Sequence, residues 1–242
     1  MKVYFYLFLA LTSLNAQTPN LPKNSPISVL SSIETVNIEN SNEIATFDPR
    51  WVDSLSLSLP CYGVPVPKRT MRLPNAPRNY RKGIHRGLDF FANWGTPVRS
   101  VADGVVVRSD LHYEEVPADF RENLLKATTK VGYTPSDIFN NVLLGKSVFL
   151  DHGFDLIPGF RTISIYAHLS YIEREIVPGA VVKRGELLGK SGNTGMREST
   201  IGSKAGSHLH WEMILQKGEQ EIFLGKGMSN PELYDMLLRI FN

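Results

Sequence analysis

The chain has 242 residues, of which 42% are hydrophobic and 21% are charged, and its formal net charge is +2. These values are typical of one globular domain with appendages, and the single cysteine, Cys61, excludes a scaffold held by internal disulfides. Because the overall charge is nearly balanced, only its distribution along the chain bears on binding partners.

The first sixteen residues have the layout of a secretory signal peptide. Lys2 precedes an apolar run over 3–11, and the small residue Ala16 marks a cleavage site before Gln17. The run is about half of the roughly 20 apolar residues that a spanning helix needs, so no stable membrane insertion is expected once it is removed. No cysteine lies near the cleavage site, which argues against a lipid anchor. The mature protein is expected to be exported, either to the periplasm or to the extracellular space.

Residues 17–67 are predicted to form an N-terminal arm or linker, partly disordered, because they show no sustained period of 3.6 or of 2. Residues 68–242 form the predicted main domain. Its first segment, 68–86, carries only basic charges, and its prolines exclude a helix. This segment is either a solvated loop or a basic rim that attracts an anionic polymer. Nucleic acid is not expected as a partner, since the chain is predicted to be exported and shows no recognition helix.

Short segments of β type alternate with glycine turns after Asp89. Many short strands separated by such turns favour a mainly β fold, with a folded antiparallel sheet or sandwich. The predicted strands are 96–101, 105–107, 147–150, 162–166, 180–182, 186–189, 208–215 and 221–224.

Two helical segments interrupt this pattern. The first is a helical hairpin inserted at about 112–145, with one helix over 117–131 and a second that starts at Thr134 and Pro135 and ends before Gly145. The hairpin is either a passive packing element or a wall of a binding cleft. A short C-terminal helix is predicted after Asn230 and Pro231, since apolar residues then recur at helical spacing.

The residues best suited to chemistry are histidines. Successive side chains of a strand alternate between its faces, so His208 and His210 are expected to point the same way. Together with the distant His85 and Asp89, they are the right chemical types for a zinc site with an open coordination position. His168 lies at the end of a predicted strand.

The sequence also bears on the backbone between His85 and Asp89 and on the role of His152. Gly83 and Gly87 disfavour a helix between His85 and Asp89, so a turn is expected to bring those two side chains together. His152 is interpreted as structural.

Four segments resemble, in order and content, the motifs of the lysostaphin/LytM-type zinc metallopeptidases. They are 83–89 (GIHRGLD), 166–169 (YAHL), 191–195 (SGNTG) and 208–212 (HLHWE). By position, the resemblance implies that His85, Asp89 and His210 bind one Zn²⁺ per chain. It also implies that His168 and His208 are the catalytic histidines without a metal bond.

The resemblance further implies fold and function. Members have a strongly bent antiparallel sheet and cleave peptide bonds in the stem peptides or cross-bridges of bacterial peptidoglycan. The chain is therefore expected to be a zinc-dependent endopeptidase with peptidoglycan peptides as its partner, acting through attack of a metal-bound water. Zinc lowers the pKa of such a water toward about 7. His168 and His208 then serve as base and acid, although the sequence does not divide these two roles between them.

Departures from the family pattern concern the groove rather than the metal site. The loop over 196–207 is longer than usual, charged and without the expected Gly-Pro, and the hairpin is an insertion. Two alternatives remain open. A non-catalytic peptidoglycan-binding regulator of other cell-wall hydrolases would lack ligands that this chain keeps. A phosphotransfer carrier with paired histidines would have neither a signal peptide nor an acid at Asp89.

Overall fold

Antiparallel β-sheets are the main regular structure of the described chain. The computed structural model describes residues 46–241, so the predicted signal peptide and residues 17–45 lie outside the described residues. The strands are β1 (Pro77–Arg78), β2 (Gly83–Ile84), β3 (Leu88–Phe90), β4 (Pro97–Arg99), β5 (Gly104–Ser109), β6 (Val148–Asp151), β7 (Arg161–Ala167), β8 (Leu169–Ile172), β9 (Val181–Val182), β10 (Leu187–Ser191), β11 (Leu209–Lys217) and β12 (Gln220–Phe223).

The largest sheet has the order β12-β11-β7-β6-β5-β9, and β3 adds to it by pairing with β11. Strands β4-β10-β8 and β1-β2 form two smaller sheets. All of these pairings are antiparallel, which confirms the predicted mainly β fold.

The helices of the hairpin and of the C-terminal segment lie where the sequence predicts them, whereas a short helix, Arg197–Thr200, lies within the segment that was predicted to be a loop. They are α1 (Ala118–Val131), α2 (Ser136–Ile138), which continues into a π-helical turn (Phe139–Leu143), α3 (Arg197–Thr200) and α4 (Glu232–Ile240). Short 3₁₀ turns occupy Pro49–Val52, Thr70–Arg72 and Asn79–Arg81. The inserted hairpin and the C-terminal helix are thereby confirmed. Within residues 46–241, no helix combines the length and the apolar character needed to cross a membrane.

Strand β11 separates two apolar cores, because its side chains alternate between the faces of the large sheet. Trp211, Met213 and their neighbours on one face enter the main core with helix α4. On the opposite face, Ile214 packs with Phe139 and Leu143 of the hairpin. The hairpin therefore covers the second face of the sheet, which is also the face that carries His210.

Residues 46–67, which the sequence analysis placed in the arm, pack against the main core. Phe47, Val52, Leu57 and Cys61 are buried there, and the Leu57 amide donates to the Ile240 carbonyl at 2.7 Å. Their apolar residues have no regular period because this segment crosses the core without forming a long helix or strand. Periodicity alone therefore could not distinguish it from a linker.

His152 belongs to a buried hydrogen-bond chain, which agrees with its interpretation as a structural residue. Its Nδ1–H donates to the Asp103 carbonyl at 2.6 Å, and its Nε2 accepts from the Ser164 hydroxyl at 2.7 Å. The Tyr166 hydroxyl lies 3.2 Å from Ser164 Oγ and accepts from the Val101 amide at 2.9 Å. A neutral His152 thus has a hydrogen-bond partner at each ring nitrogen.

Acidification is expected to destabilise the fold partly through His152. Burial lowers the pKa of His152 below its ordinary 6.5, whereas the unfolded chain keeps the ordinary value. Below about pH 6.5 the unfolded state binds the proton first, so the free energy of unfolding decreases as the pH falls. A His152→Asn variant should show a shallower decrease between about pH 7 and 5, measured by urea unfolding. An unchanged slope would contradict this assignment.

Candidate metal centre

Strand pairing places Asp89 opposite His210. In the β3–β11 register, Asp89 and His210 are direct cross-strand partners. Gly87 makes this pairing possible, since a Cβ there would lie 2.2 Å from the Trp211 carbonyl oxygen and 2.7 Å from Glu212 Cγ. The glycine in this motif is therefore required for close approach of the loop to β11.

His85 reaches the same point from the turn between β2 and β3. The His85 amide donates to the Ala76 carbonyl at 2.8 Å. Its ring Nδ1 lies 2.9 Å from the Leu73 carbonyl, which only accepts, so Nδ1 carries the proton and Nε2 keeps its lone pair. The turn that the sequence predicts between His85 and Asp89 thus holds both side chains on one side.

Three acceptor atoms converge at this point. His85 Nε2 and His210 Nδ1 each lie 2.9 Å from Asp89 Oδ1, and the two nitrogens are 3.0 Å apart. Among the described residues, these three form a group that could hold a metal ion, since their ligand atoms all lie within 4.8 Å of one another. They are 2%, 9% and 4% exposed. Two imidazoles with one carboxylate are a ligand set that suits Zn²⁺.

The second oxygen of Asp89 is held by a different partner. Arg78 Nη2 lies 3.0 Å from Asp89 Oδ2 and donates to it, and Arg72 Nη1 donates to the Asp89 main-chain carbonyl at 3.2 Å. This leaves Oδ1 facing the histidines. The arginine therefore fixes the orientation of the carboxylate.

The pKa values of the three converging groups reflect both burial and their charged neighbours. Burial lowers the pKa of His85 below 6.5. Burial opposes ionisation of Asp89, but the neighbouring histidines outweigh it and hold the Asp89 pKa well below 3.8. For His210, burial is outweighed by hydrogen bonds to Asp89 and Glu212, which raise the pKa to about 9. The two carboxylates thus favour positive charge at His210.

His168 and His208 flank the three converging groups. Their rings are 4.9 Å apart, and His208 Nε2 lies 3.5 Å from Asp89 Oδ1. The Nδ1–H of His208 donates to the Gly206 carbonyl at 2.7 Å, and that of His168 donates to the Thr194 carbonyl at 2.8 Å. In both neutral rings the proton is therefore on Nδ1 and the lone pair is on Nε2.

The backbone of His168 is held in an uncommon conformation. Its φ of 61° lies in the left-handed region, which residues other than glycine rarely occupy. The His168 amide donates to the Leu144 carbonyl at 2.9 Å, which attaches this residue to the end of the hairpin. Burial, with His208 and His210 nearby, lowers the pKa of His168 well below 6.5.

The SGNTG segment connects the elements around the histidines. Asn193 Nδ2 donates to the carbonyls of Ser203 and Ala205 at 2.8 and 2.9 Å, which fixes the long loop over 196–207. Thr194 Oγ1 donates to the Leu169 carbonyl and accepts from the Lys146 amide, both at 2.9 Å. This motif therefore positions the loop, the His168 strand end and the hairpin together.

A cleft of about 460 Å³ opens beside these five residues. The hairpin contributes Arg121, Leu125, Phe139, Leu143 and Leu144 to its lining, and the long loop contributes Met196, Arg197 and Glu198. The hairpin is thus both a packing element and a wall of the cleft. From the basic segment, Arg78 and Arg81 also line the cleft.

Sequence reasoning missed two residues that contact the predicted ligands. Arg78 was grouped with an undifferentiated basic segment, and no sequence signal linked it to Asp89. Glu212 accepts from His210 Nε2–H at 2.7 Å, and the signal for it was present. The alternation that puts His208 and His210 on one face continues to Glu212.

Comparisons with known proteins agree with the resemblance drawn from the motifs. The chain is 31% identical over 162 residues to an uncharacterized metalloprotease of Haemophilus influenzae, covering 64% of this chain and 25% of the relative. It is 29% identical over 140 residues to the peptidoglycan DD-endopeptidase ShyA of Vibrio cholerae, covering 58% and 22% respectively. The matched region thus spans a quarter or less of each of these curated relatives.

A solved structure and a family profile complete the comparison. The lysostaphin catalytic domain from Staphylococcus simulans is 19% identical, with 77% of this chain and 98% of that chain covered and a TM-score of 0.36. The profile of Peptidase family M23 matches residues 83–222, which include all five histidine and aspartate positions discussed above. Because this match covers more than half of the sequence, the chain belongs to Peptidase family M23.

Proposed function

We propose that the chain is a zinc-dependent endopeptidase that hydrolyses peptide bonds in peptidoglycan stem peptides or cross-bridges. The observation that carries the proposal is the convergence of His85 Nε2, His210 Nδ1 and Asp89 Oδ1 at 2.9–3.0 Å beside an open cleft. The non-catalytic alternative is disfavoured because a regulator does not need a complete ligand set.

His85, Asp89 and His210 would hold the ion. When bound, Zn²⁺ supplies Lewis acidity toward a carbonyl and lowers the pKa of water. Arg78 keeps Oδ1 of Asp89 turned toward the two imidazoles, since it occupies Oδ2. The remaining chemistry belongs to the two histidines without a ligand role.

His168 and His208 move the protons. Their Nδ1–H groups are fixed on main-chain carbonyls, so each ring presents Nε2 in a set orientation. One Nε2 accepts the proton of the attacking water, and the other donates to the leaving amine. The 4.9 Å separation of the rings lets both act on one scissile bond.

The proposed substrate is supported by a named relative, and the proposed location by the N-terminal sequence. The curated relative of Vibrio cholerae is named a peptidoglycan DD-endopeptidase. Peptidoglycan lies outside the cytoplasm, and the signal-peptide pattern over 1–16 supports export to the periplasm or beyond. Arginines along the cleft suit the carboxylates of stem peptides.

The proposal is tested with purified sacculi. The zinc-loaded mature protein should release muropeptides whose masses, measured by mass spectrometry, reveal one newly hydrolysed peptide bond. If the muropeptides stay intact after prolonged digestion although the protein has zinc bound, the proposed peptidase activity is ruled out. The non-catalytic peptidoglycan-binding regulator then becomes the favoured function.

Replacing either auxiliary histidine is expected to separate catalysis from zinc binding. His168→Ala and His208→Ala should each lower kcat by about 10²- to 10⁴-fold, the usual contribution of a positioned acid or base. Zinc content should stay at the wild-type level because neither ring is a proposed ligand. The exposed His112→Ala provides the matched control with wild-type kcat. Loss of zinc from both variants would contradict this division of roles.

A further inference from the structure

Glu212 is a fully buried carboxylate directly behind His210. It is 0% exposed, and its Oε1 accepts from His210 Nε2–H at 2.7 Å. A carboxylate accepts but does not donate, so this bond places the ring proton on Nε2. In the neutral ring, His210 Nδ1 then carries the lone pair, toward Asp89 and His85.

Arg86 neutralises this carboxylate. Its Nη2 lies 3.0 Å from Glu212 Oε2, and its own side chain is half-buried. A buried charge without a partner is strongly destabilising, so Arg86 is what keeps Glu212 ionised in place. The close approach that Gly87 permits brings the turn carrying Arg86 against Glu212.

The inserted hairpin supports Arg86 from the other side. The guanidinium carbon of Arg86 lies 4.4 Å from the ring centroid of Phe139, the first residue of the π-helical turn. Phe139 is 8% exposed and belongs to the core between hairpin and sheet. A cation over an aromatic face is attracted by the ring, so Phe139 restricts where the guanidinium can lie.

We propose that Glu212, held by Arg86 on Phe139, is a positioning residue that fixes His210 with Nδ1 toward the metal. The inference rests on the proposed zinc peptidase and adds to it a path from the inserted hairpin to one metal ligand. Without the charged acceptor at Nε2, the ring can rotate or carry its proton on Nδ1. Either change removes a donor from the ion.

The test measures zinc affinity, not only turnover. Glu212→Gln keeps the shape of the side chain, but its amide no longer dictates which ring nitrogen is protonated. The variant should raise the Kd for zinc by about 10- to 100-fold, measured by competition with a chromophoric chelator. Its kcat at subsaturating zinc should fall, while KM stays within about twofold because Glu212 does not line the cleft.

The neighbouring strand provides a matched control. Glu221 lies on β12 and is also partly buried, yet it pairs across the strands with Gln216 rather than with His210. Glu221→Gln should keep the wild-type Kd for zinc. As a single substitution, Arg86→Gln should also raise the Kd for zinc. In the Glu212→Gln background it should raise the Kd little further, because both substitutions act through the contact between Arg86 and Glu212. If Glu212→Gln does not fold, judged by circular dichroism, Arg86→Gln carries the test.

The outcomes distinguish this inference from the proposed function. A wild-type Kd for zinc in folded Glu212→Gln, or in folded Arg86→Gln if the first does not fold, overturns the positioning role and leaves the peptidase intact. Equal losses of affinity in Glu212→Gln and Glu221→Gln also overturn it, because they would reflect general electrostatics. A wild-type protein that binds no zinc overturns both proposals.

Discussion

Replacing His210 by alanine is expected to abolish zinc binding and hydrolysis together. The substitution removes Nδ1, one of the three converging acceptors, and leaves Asp89 and His85 as an incomplete site. A bound metal ion contributes several kcal/mol to catalysis, and each 1.36 kcal/mol is tenfold in rate. Activity should therefore fall by at least about 10³-fold. Zinc content is measured by elemental mass spectrometry, and activity by muropeptide release.

Thermal unfolding adds a readout that does not depend on activity. A ligand that binds only the folded state stabilises it by about 2.7 kcal/mol at one hundred times its Kd. Zinc should therefore raise the Tm of the wild type and of His112→Ala, but not that of His210→Ala. If His210→Ala retains zinc-dependent hydrolysis, His210 is not a required zinc ligand and the assignment is rejected.

The site was more predictable from sequence than its surroundings. Strand alternation groups His208 with His210, and a glycine turn groups His85 with Asp89, so each pair could be predicted from local sequence. That the two pairs meet, with His210 as the ligand, was implied only by the family resemblance. The contact of Arg78 with Asp89 could not be predicted, because it depends on how the turn after the basic segment folds back. An arginine in a run of arginines carries no signal about which carboxylate it will meet.

The fold shows the same distinction between local and non-local information. Helix α1 has a strong apolar period and a glycine at its end, and it lies within one residue of the prediction. Residues 46–67 have neither feature, yet Leu57 is completely buried against the C-terminal segment. Their burial is created by long-range packing, which no local pattern encodes.

Gly87→Ala is expected to damage the fold and the metal site at once. Gly87 does not have a positive φ, so the substitution adds no backbone strain of its own. The new Cβ would instead lie 2.2 Å from the Trp211 carbonyl oxygen, which is main chain of the central strand β11 and has little freedom to move. The free energy of unfolding should fall by about 3 kcal/mol, which is the upper end of the range that overpacking usually costs. Urea unfolding measures this loss.

The same substitution should also weaken zinc binding, since Gly87 lies between His85 and Asp89 and sets their distance from His210. Gly153→Ala is the matched control. Its φ of 63° lies in the left-handed region, where alanine costs about 1–2 kcal/mol in backbone strain. Nothing lies within 4 Å of the added Cβ, so the substitution causes no steric clash. Gly153→Ala should therefore lose stability and keep the wild-type Kd for zinc. If Gly87→Ala behaves like this control, the close approach of the turn to β11 does not set the geometry of the ligands.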